Sequence, residues 1–108
     1  MYFPVSATLI EFLILSIVKE QDSYGYDISQ NIKLVTNIKE STLYPILKKL
    51  EKAEYLRTYS QEHQGRRRKY YQLTTEGQTQ LAFLEEEWEN YKANLDAIIE
   101  GSLRHDKN

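Results

Sequence analysis

The sequence contains no cysteine, which excludes disulfides, thiol nucleophiles and thiolate metal ligands together. A long hydrophobic run is also missing. The apolar stretch from Leu9 to Val18 is interrupted by Glu11 and Ser16. It is about half of the roughly twenty residues that a membrane-spanning helix needs. It has neither a basic leading segment nor a clear small-residue cleavage site. A buried helix in a cytoplasmic chain that does not enter the membrane is expected instead. Enzyme signatures are absent too: there is no P-loop, no GxSxG and no HExxH. His63 and His105 lack metal-ligand spacing, and Glu85, Glu86, Glu87 and Glu89 read as a solvated helix flank. No enzyme, cofactor or metal site is expected.

A large excess of one charge is the last thing lacking. Fourteen Lys and Arg oppose sixteen Asp and Glu, a net charge of −2, whereas a nucleic-acid binder is usually basic. The distribution reverses that impression. Residues 1–40 carry −2, residues 41–73 carry +5 and residues 74–108 carry −5. The basic middle includes Lys48, Lys49, Lys52, Arg57 and the uninterrupted run Arg66, Arg67, Arg68 and Lys69. Scattered charges solvate a surface; four in a row after Gly65 point to a localised anionic partner.

What is present suits one soluble globular domain: 108 residues, 41% apolar and 28% charged. Thr8 and Glu11 have capping-box spacing for a first helix running to about Gln21. Its apolar residues cover more than one face, so it is expected to contact a second surface, such as a partner chain. Ser23 fits the N-cap of a second helix, about Tyr24 to Leu34, with Ile28, Ile32 and Val35 as its stripe. A third helix, roughly Ser41 to Glu54, buries Leu43, Ile46, Leu47 and Leu50. Pro45 lies in its first turn or just after it, where a missing N–H costs little. Period-two alternation then marks two strands, Tyr55 to Tyr59 and Lys69 to Leu73, around a flexible, polar, basic tip at 60–68. Thr74 starts a last helix, in which Leu81, Leu84, Trp88, Tyr91, Leu95 and Ile98 alternate at three- and four-residue steps, a short heptad seam.

The fold class expected is mainly α with a small β-hairpin. It is a winged helix-turn-helix over residues 1–73, followed by a C-terminal dimerisation helix and polar tail over 74–108. A helix fits the major groove of duplex DNA, and a basic hairpin reaches flanking phosphates or the minor groove. With the apolar stripe inward, Ser41, Pro45, Lys48 and Lys52 lie on the opposite face of the third helix, flanked by Thr42, Tyr44 and Lys49. Of the nine tyrosines, Tyr55, Tyr59, Tyr70 and Tyr71 cluster on the hairpin, where a half-buried sheet role with a wet hydroxyl is usual. Tyr71 and Leu73 should share one face and Tyr70 the other. The competing reading is a winged-helix protein-interaction module that never touches DNA, which has no need of four consecutive basic residues.

Three stretches carry a family resemblance: 22–30 (DSYGYDISQ), 40–51 (ESTLYPILKKLE) and 65–74 (GRRRKYYQLT). In this order and spacing the chain resembles the PadR family of bacterial transcriptional regulators, over about residues 8–100, and within it the short subfamily with one C-terminal dimerisation helix. The resemblance implies a homodimeric DNA-binding transcriptional regulator; the basic helix and wing together with the seam lead to the expectation of sequence-specific binding to a pseudo-palindromic operator by a repressor released by a small molecule or other effector. The resemblance implies DNA contacts from Ser41, Thr42, Tyr44, Pro45 and Lys48 on the recognition helix and from Arg66, Arg67, Arg68 and Lys69 on the wing. Tyr24 and Gly25, opening the second helix, would meet a phosphate at its N-terminus. The implied dimer interface joins Leu9, Phe12 and Leu13 of the first helix to Leu81, Leu84, Trp88, Tyr91, Leu95 and Ile98 of the last. Phe12, Leu84, Trp88 and Tyr91 would then line a pocket for a small aromatic effector. The plainer alternative for Trp88 is a large residue filling the interface.

Overall fold

The computed structural model describes residues 3–101; the polar tail beyond them, with His105, lies outside the described residues. Four helices and three strands follow in the order α1 (Ala7–Glu20), β1 (Ser23–Tyr24), α2 (Gly25–Ile32), α3 (Glu40–Lys52), β2 (Leu56–His63), β3 (Arg66–Leu73) and α4 (Thr75–Ile99). This is the expected mainly helical winged-helix class, with a longer wing and one more strand.

The cap of α1 is Ser6, not Thr8. The Ser6 hydroxyl accepts the Leu9 N–H at 3.1 Å. Either residue type can cap, and starting at Ala7 aligns Ile10, Ile14 and Val18 on the buried face at helical spacing. Glu11 is thereby released from any capping role. The second helix is shorter than expected. Ser23 enters strand β1, its hydroxyl donating to the Gln21 carbonyl at 2.9 Å, and Tyr24 becomes the cap residue. The chain turns after Ile32, so Val35 is exposed, and Ile38 takes the core position that the stripe assigned to it.

Helix α3 buries Leu43, Leu47 and Leu50, with Ile46 half-buried. Pro45 sits more than one turn inside, so it supplies no N–H to the Ser41 carbonyl. The helix closes with a Schellman arrangement. Tyr55 N–H reaches the Leu50 carbonyl and Glu54 N–H the Glu51 carbonyl, each at 3.0 Å, with Glu54 at φ 66°.

The hairpin corrects the expected flexible tip. Strands β2 and β3 pair in continuous register from Leu56 opposite Leu73 to His63 opposite Arg66. Gln64 (φ 52°) and Gly65 (φ 77°) form the two-residue turn, both with the positive φ of a type I′ hairpin. Residues 60–63 and 66–68 are polar because the hairpin extends past the core, not because they form a loop. Strand β1 adds to the other edge of β3, Ser23 opposite Tyr71 and Tyr24 opposite Tyr70, giving the order β1-β3-β2.

Helix α4 is capped by Thr74, whose hydroxyl accepts the Gly77 N–H at 2.9 Å and donates to the Glu54 carbonyl at 2.5 Å. The same joint carries a backbone bond, Thr74 N–H to the Tyr55 carbonyl at 3.1 Å. The first turns of α4 belong to the head: Leu81, 2% exposed, joins the core of α1, α2 and α3. Its 25 residues span about 37 Å at 1.5 Å per residue. The far end leaves the body, so Tyr91, Leu95 and Ile98 are exposed.

Candidate nucleic-acid interface

Helix α3 presents Ser41, Thr42, Tyr44, Pro45 and Lys48 to solvent, all exposed, because Leu43, Leu47 and Leu50 turn the opposite face into the core. Lys49 departs from this set. Its ammonium reaches back to α1 and pairs with Glu11 Oε2 at 2.7 Å. The hydrogen bond to Glu11, then the attraction of its charge, hold the Lys49 ammonium above the ordinary lysine range.

Tyr44 lies against the start of α2. A Cβ on Gly25 would fall 2.9 Å from Tyr44 Cε1, so glycine makes room for the ring. Tyr24, Gly25, Tyr26, Tyr44, Arg68, Lys69 and Tyr71 line one cleft of about 280 Å³. Five of the residues expected at DNA (Tyr24, Gly25, Tyr44, Arg68 and Lys69) thus meet in one place, from α2, α3 and the wing. Below them Tyr71 is buried; burial first, then the charges of Glu51 and Tyr44, push its hydroxyl above the ordinary tyrosine range.

Strand alternation divides the basic run between two faces. Arg66 and Arg68 share a face with Tyr70; Arg67 and Lys69 share the face of Tyr71. On the Tyr71 side, Lys69 lies 3.6 Å from Glu51 and 5.5 Å from the Tyr71 ring centroid, and Arg67 stands opposite Glu62. On the other side the Arg68 guanidinium sits 4.3 Å above the Tyr24 ring, with its Nε buried and unbonded. Tyr24, Tyr70 and Tyr59 run across the three strands, Tyr24 edge-on to Tyr70 at 5.5 Å and Tyr70 stacked on Tyr59 at 5.6 Å. Tyr59 donates to Asp22 at 2.7 Å, which anchors the ladder and raises the Tyr59 hydroxyl above its ordinary range. Exposed Arg57, opposite Gln72, extends this face. Arg57 belongs to the basic middle of the sequence but to none of the expected sites; its even offset from Tyr59 is the signal that places it on this face.

Comparison with known proteins decides the family. The transcriptional regulator PadR-like family matches residues 14–83. The chain belongs to the PadR-like family. A solved structure from Streptococcus mutans UA159 is 69% identical, with a TM-score of 0.95 over 98% of this chain and 100% of that one. A PadR family transcription regulator from Clostridium difficile R20291 is 34% identical, with a TM-score of 0.78 over 83% of this chain and 97% of that one. An uncharacterised Lysinibacillus sphaericus protein is 40% identical over 97 residues, which cover 85% of this chain and 89% of its own. This is a family of transcriptional regulators, not of enzymes.

This PadR-like chain has a second concave site, built from other residues. Pro4, Ser6, Thr8, Leu9, Phe12, Leu84, Glu87, Trp88 and Tyr91 line a cleft of about 370 Å³ between α1 and α4. The four expected pocket residues, Phe12, Leu84, Trp88 and Tyr91, all lie there. The Trp88 ring is 6.3 Å from Phe12 and 6.0 Å from Tyr91. Leu9 joins them, while half-buried Leu13 lines a different groove with Ser16 and Ile17. Leu81 is taken up by the chain's own core, so it has no surface left for a partner. Among the described residues no cluster of His, Cys, Asp or Glu is placed to hold a metal ion, and no helix is long and apolar enough to cross a membrane.

Proposed function

We propose that this PadR-like regulator binds duplex DNA sequence-specifically as a homodimer and represses transcription in the cytoplasm. The observation that carries the reading is the continuity of the exposed α3 face with the wing. Tyr44, on the exposed face with Ser41, Thr42, Pro45 and Lys48, lines the cleft that holds Tyr24, Gly25, Arg68 and Lys69. Hydroxyls and amines on the helix serve base edges; the arginines and the start of α2 serve phosphates. Residues 1–73 act as the DNA head. Residues 74–108 act as the dimerisation segment, with α1 and the exposed Tyr91, Leu95 and Ile98 of α4 facing a second copy.

The Phe12, Leu84, Trp88 and Tyr91 cleft is proposed to take a flat aromatic effector. Binding would shift the angle between the two heads and release the operator. That works only if the effector prefers one angle over the other.

Selection of binding sites from a random duplex pool with the purified protein tests the core of the reading. The expected result is an enriched pseudo-palindrome with half-sites about one helical turn apart. A pool without enrichment overturns it.

A further inference from the structure

Glu11 is an odd residue for its place, a carboxylate in the apolar run of α1. With Ser6 as the cap, it has no duty at the helix start. Its side chain is 14% exposed, whereas that of Lys49, 38 positions later on α3, is 68% exposed. A carboxylate so covered needs a cation, and Lys49 Nζ supplies it at 2.7 Å, the short distance of a charge-assisted hydrogen bond. Among the described residues it is the ion pair that joins α1 to α3; Lys19 and Glu85, 3.6 Å apart, join α1 to α4. The residue after Glu11 is Phe12, which packs on Trp88. Consecutive residues of α1 therefore grip the recognition helix and the aromatic cleft.

We propose that the Glu11–Lys49 pair is a positioning link: it sets α3 against α1 and couples the presentation of α3 on DNA to the packing around Trp88. The proposal rests on the DNA-binding reading above. The Lys49 end of the pair faces solvent, which screens the attraction and keeps the pair's net gain in stability small, so its effect belongs in geometry. Lys49 stays charged throughout the neutral range, and the bond fixes its direction away from the outward face. Its neighbour Lys48, exposed on the helix face away from Leu43, Leu47 and Leu50, is the lysine left to meet a phosphate.

The test measures affinity for the selected operator and for random duplex at one salt concentration, in wild type, Glu11→Gln, Lys49→Gln and the double swap E11K/K49E. Each single variant should lower the operator-to-random ratio about five-fold, and the swap should restore it to within about two-fold; the melting temperature should stay close to wild type in Glu11→Gln, whereas Lys49→Gln, which strands the covered carboxylate, should melt lower. The single tryptophan provides an independent readout. Operator binding should change Trp88 emission in wild type and do so less in Glu11→Gln. An unchanged ratio in Glu11→Gln, no recovery in the swap, or a wild-type emission indifferent to operator overturns the link. Parallel loss of operator and random affinity, the mark of a purely structural role, also overturns it. Wild-type protein that selects no sequence overturns the DNA-binding reading and the link together, whereas a wild-type operator with an indifferent Glu11→Gln overturns the link alone.

Discussion

The Tyr44 ring packs directly over Gly25: a Cβ there would lie 2.9 Å from Tyr44 Cε1 and 3.0 Å from its hydroxyl oxygen. Gly25 does not have a positive φ, so its value is space rather than conformational freedom. Alanine is otherwise the better helix former. Gly25→Ala should therefore leave the melting temperature nearly unchanged, since Tyr44 is 42% exposed and can swing outward. Operator affinity should fall about ten-fold, as for one displaced polar contact of about 1.4 kcal/mol. Titration of labelled operator beside a thermal melt checks both halves. Unaltered affinity would remove Tyr44 from the interface.

The split of the basic run gives a second prediction. Replacing Arg66, Arg67 and Arg68 together by alanine should weaken binding to any duplex and flatten its salt dependence. The single variants should differ. Arg66→Ala and Arg67→Ala, with exposed side chains, should each reduce the salt slope by about one if they meet a phosphate, without a change in folding. Arg68→Ala should also lower stability, by about 0.5–1 kcal/mol for the lost stack on Tyr24. Salt titrations with one random duplex, paired with denaturant melts, separate the cases. Affinity unaffected in the triple variant would exclude the wing.

Much of this architecture is legible in the sequence where a period is long enough to register. Leu43, Leu47 and Leu50 repeat on one helical face and are buried as their spacing requires. Strand β1 is only two residues long, too short for any alternation, so its pairing with Tyr70 and Tyr71 is visible only once the chain is folded. The hairpin turn hid for a different reason. Gln64 has little preference for positive φ, and the polar strand ends imitate a loop. Lys48 and Lys49 carry the same charge, yet one faces outward and the other turns to Glu11. That direction depends on a partner 38 positions away. The seam of α4 is a regular heptad, but periodicity cannot distinguish a core made within the chain from one made between chains. Leu81 belongs to the first.

Gly77 is the glycine the fold depends on most. An added Cβ would stand 2.1 Å from the Tyr55 carbonyl oxygen and 2.6 Å from Leu73 Cδ1. The first of these is backbone, held by the Thr74 N–H, and cannot step aside. Gly77→Ala should push α4 off the end of the hairpin and destabilise the chain by roughly 3 kcal/mol. That corresponds to a melting temperature lower by on the order of 10 °C or more. A variant that melts with the wild type would show that the α3–β2 joint is softer than its hydrogen bonds imply.

Trp88 tests the proposed assembly and the proposed pocket at once. It is half-buried between Phe12 and Tyr91, and the helix beyond it exposes Leu95 and Ile98. If a second copy covers this surface, Trp88→Asp places a charge in an apolar interface, which costs several kcal/mol. The expected product is a folded monomer in sedimentation that has lost specific binding but keeps weak, salt-sensitive affinity for random duplex. Folding should survive because the buried part of α4 lies upstream at Leu81. In the wild type, planar aromatic cations and phenolic acids titrated against Trp88 should quench its emission, with the cations favoured because Glu87 lines the same cleft. An intact Trp88→Asp dimer would remove α4 from the interface. Absence of quenching by either class would leave Trp88 as an interface residue without a ligand.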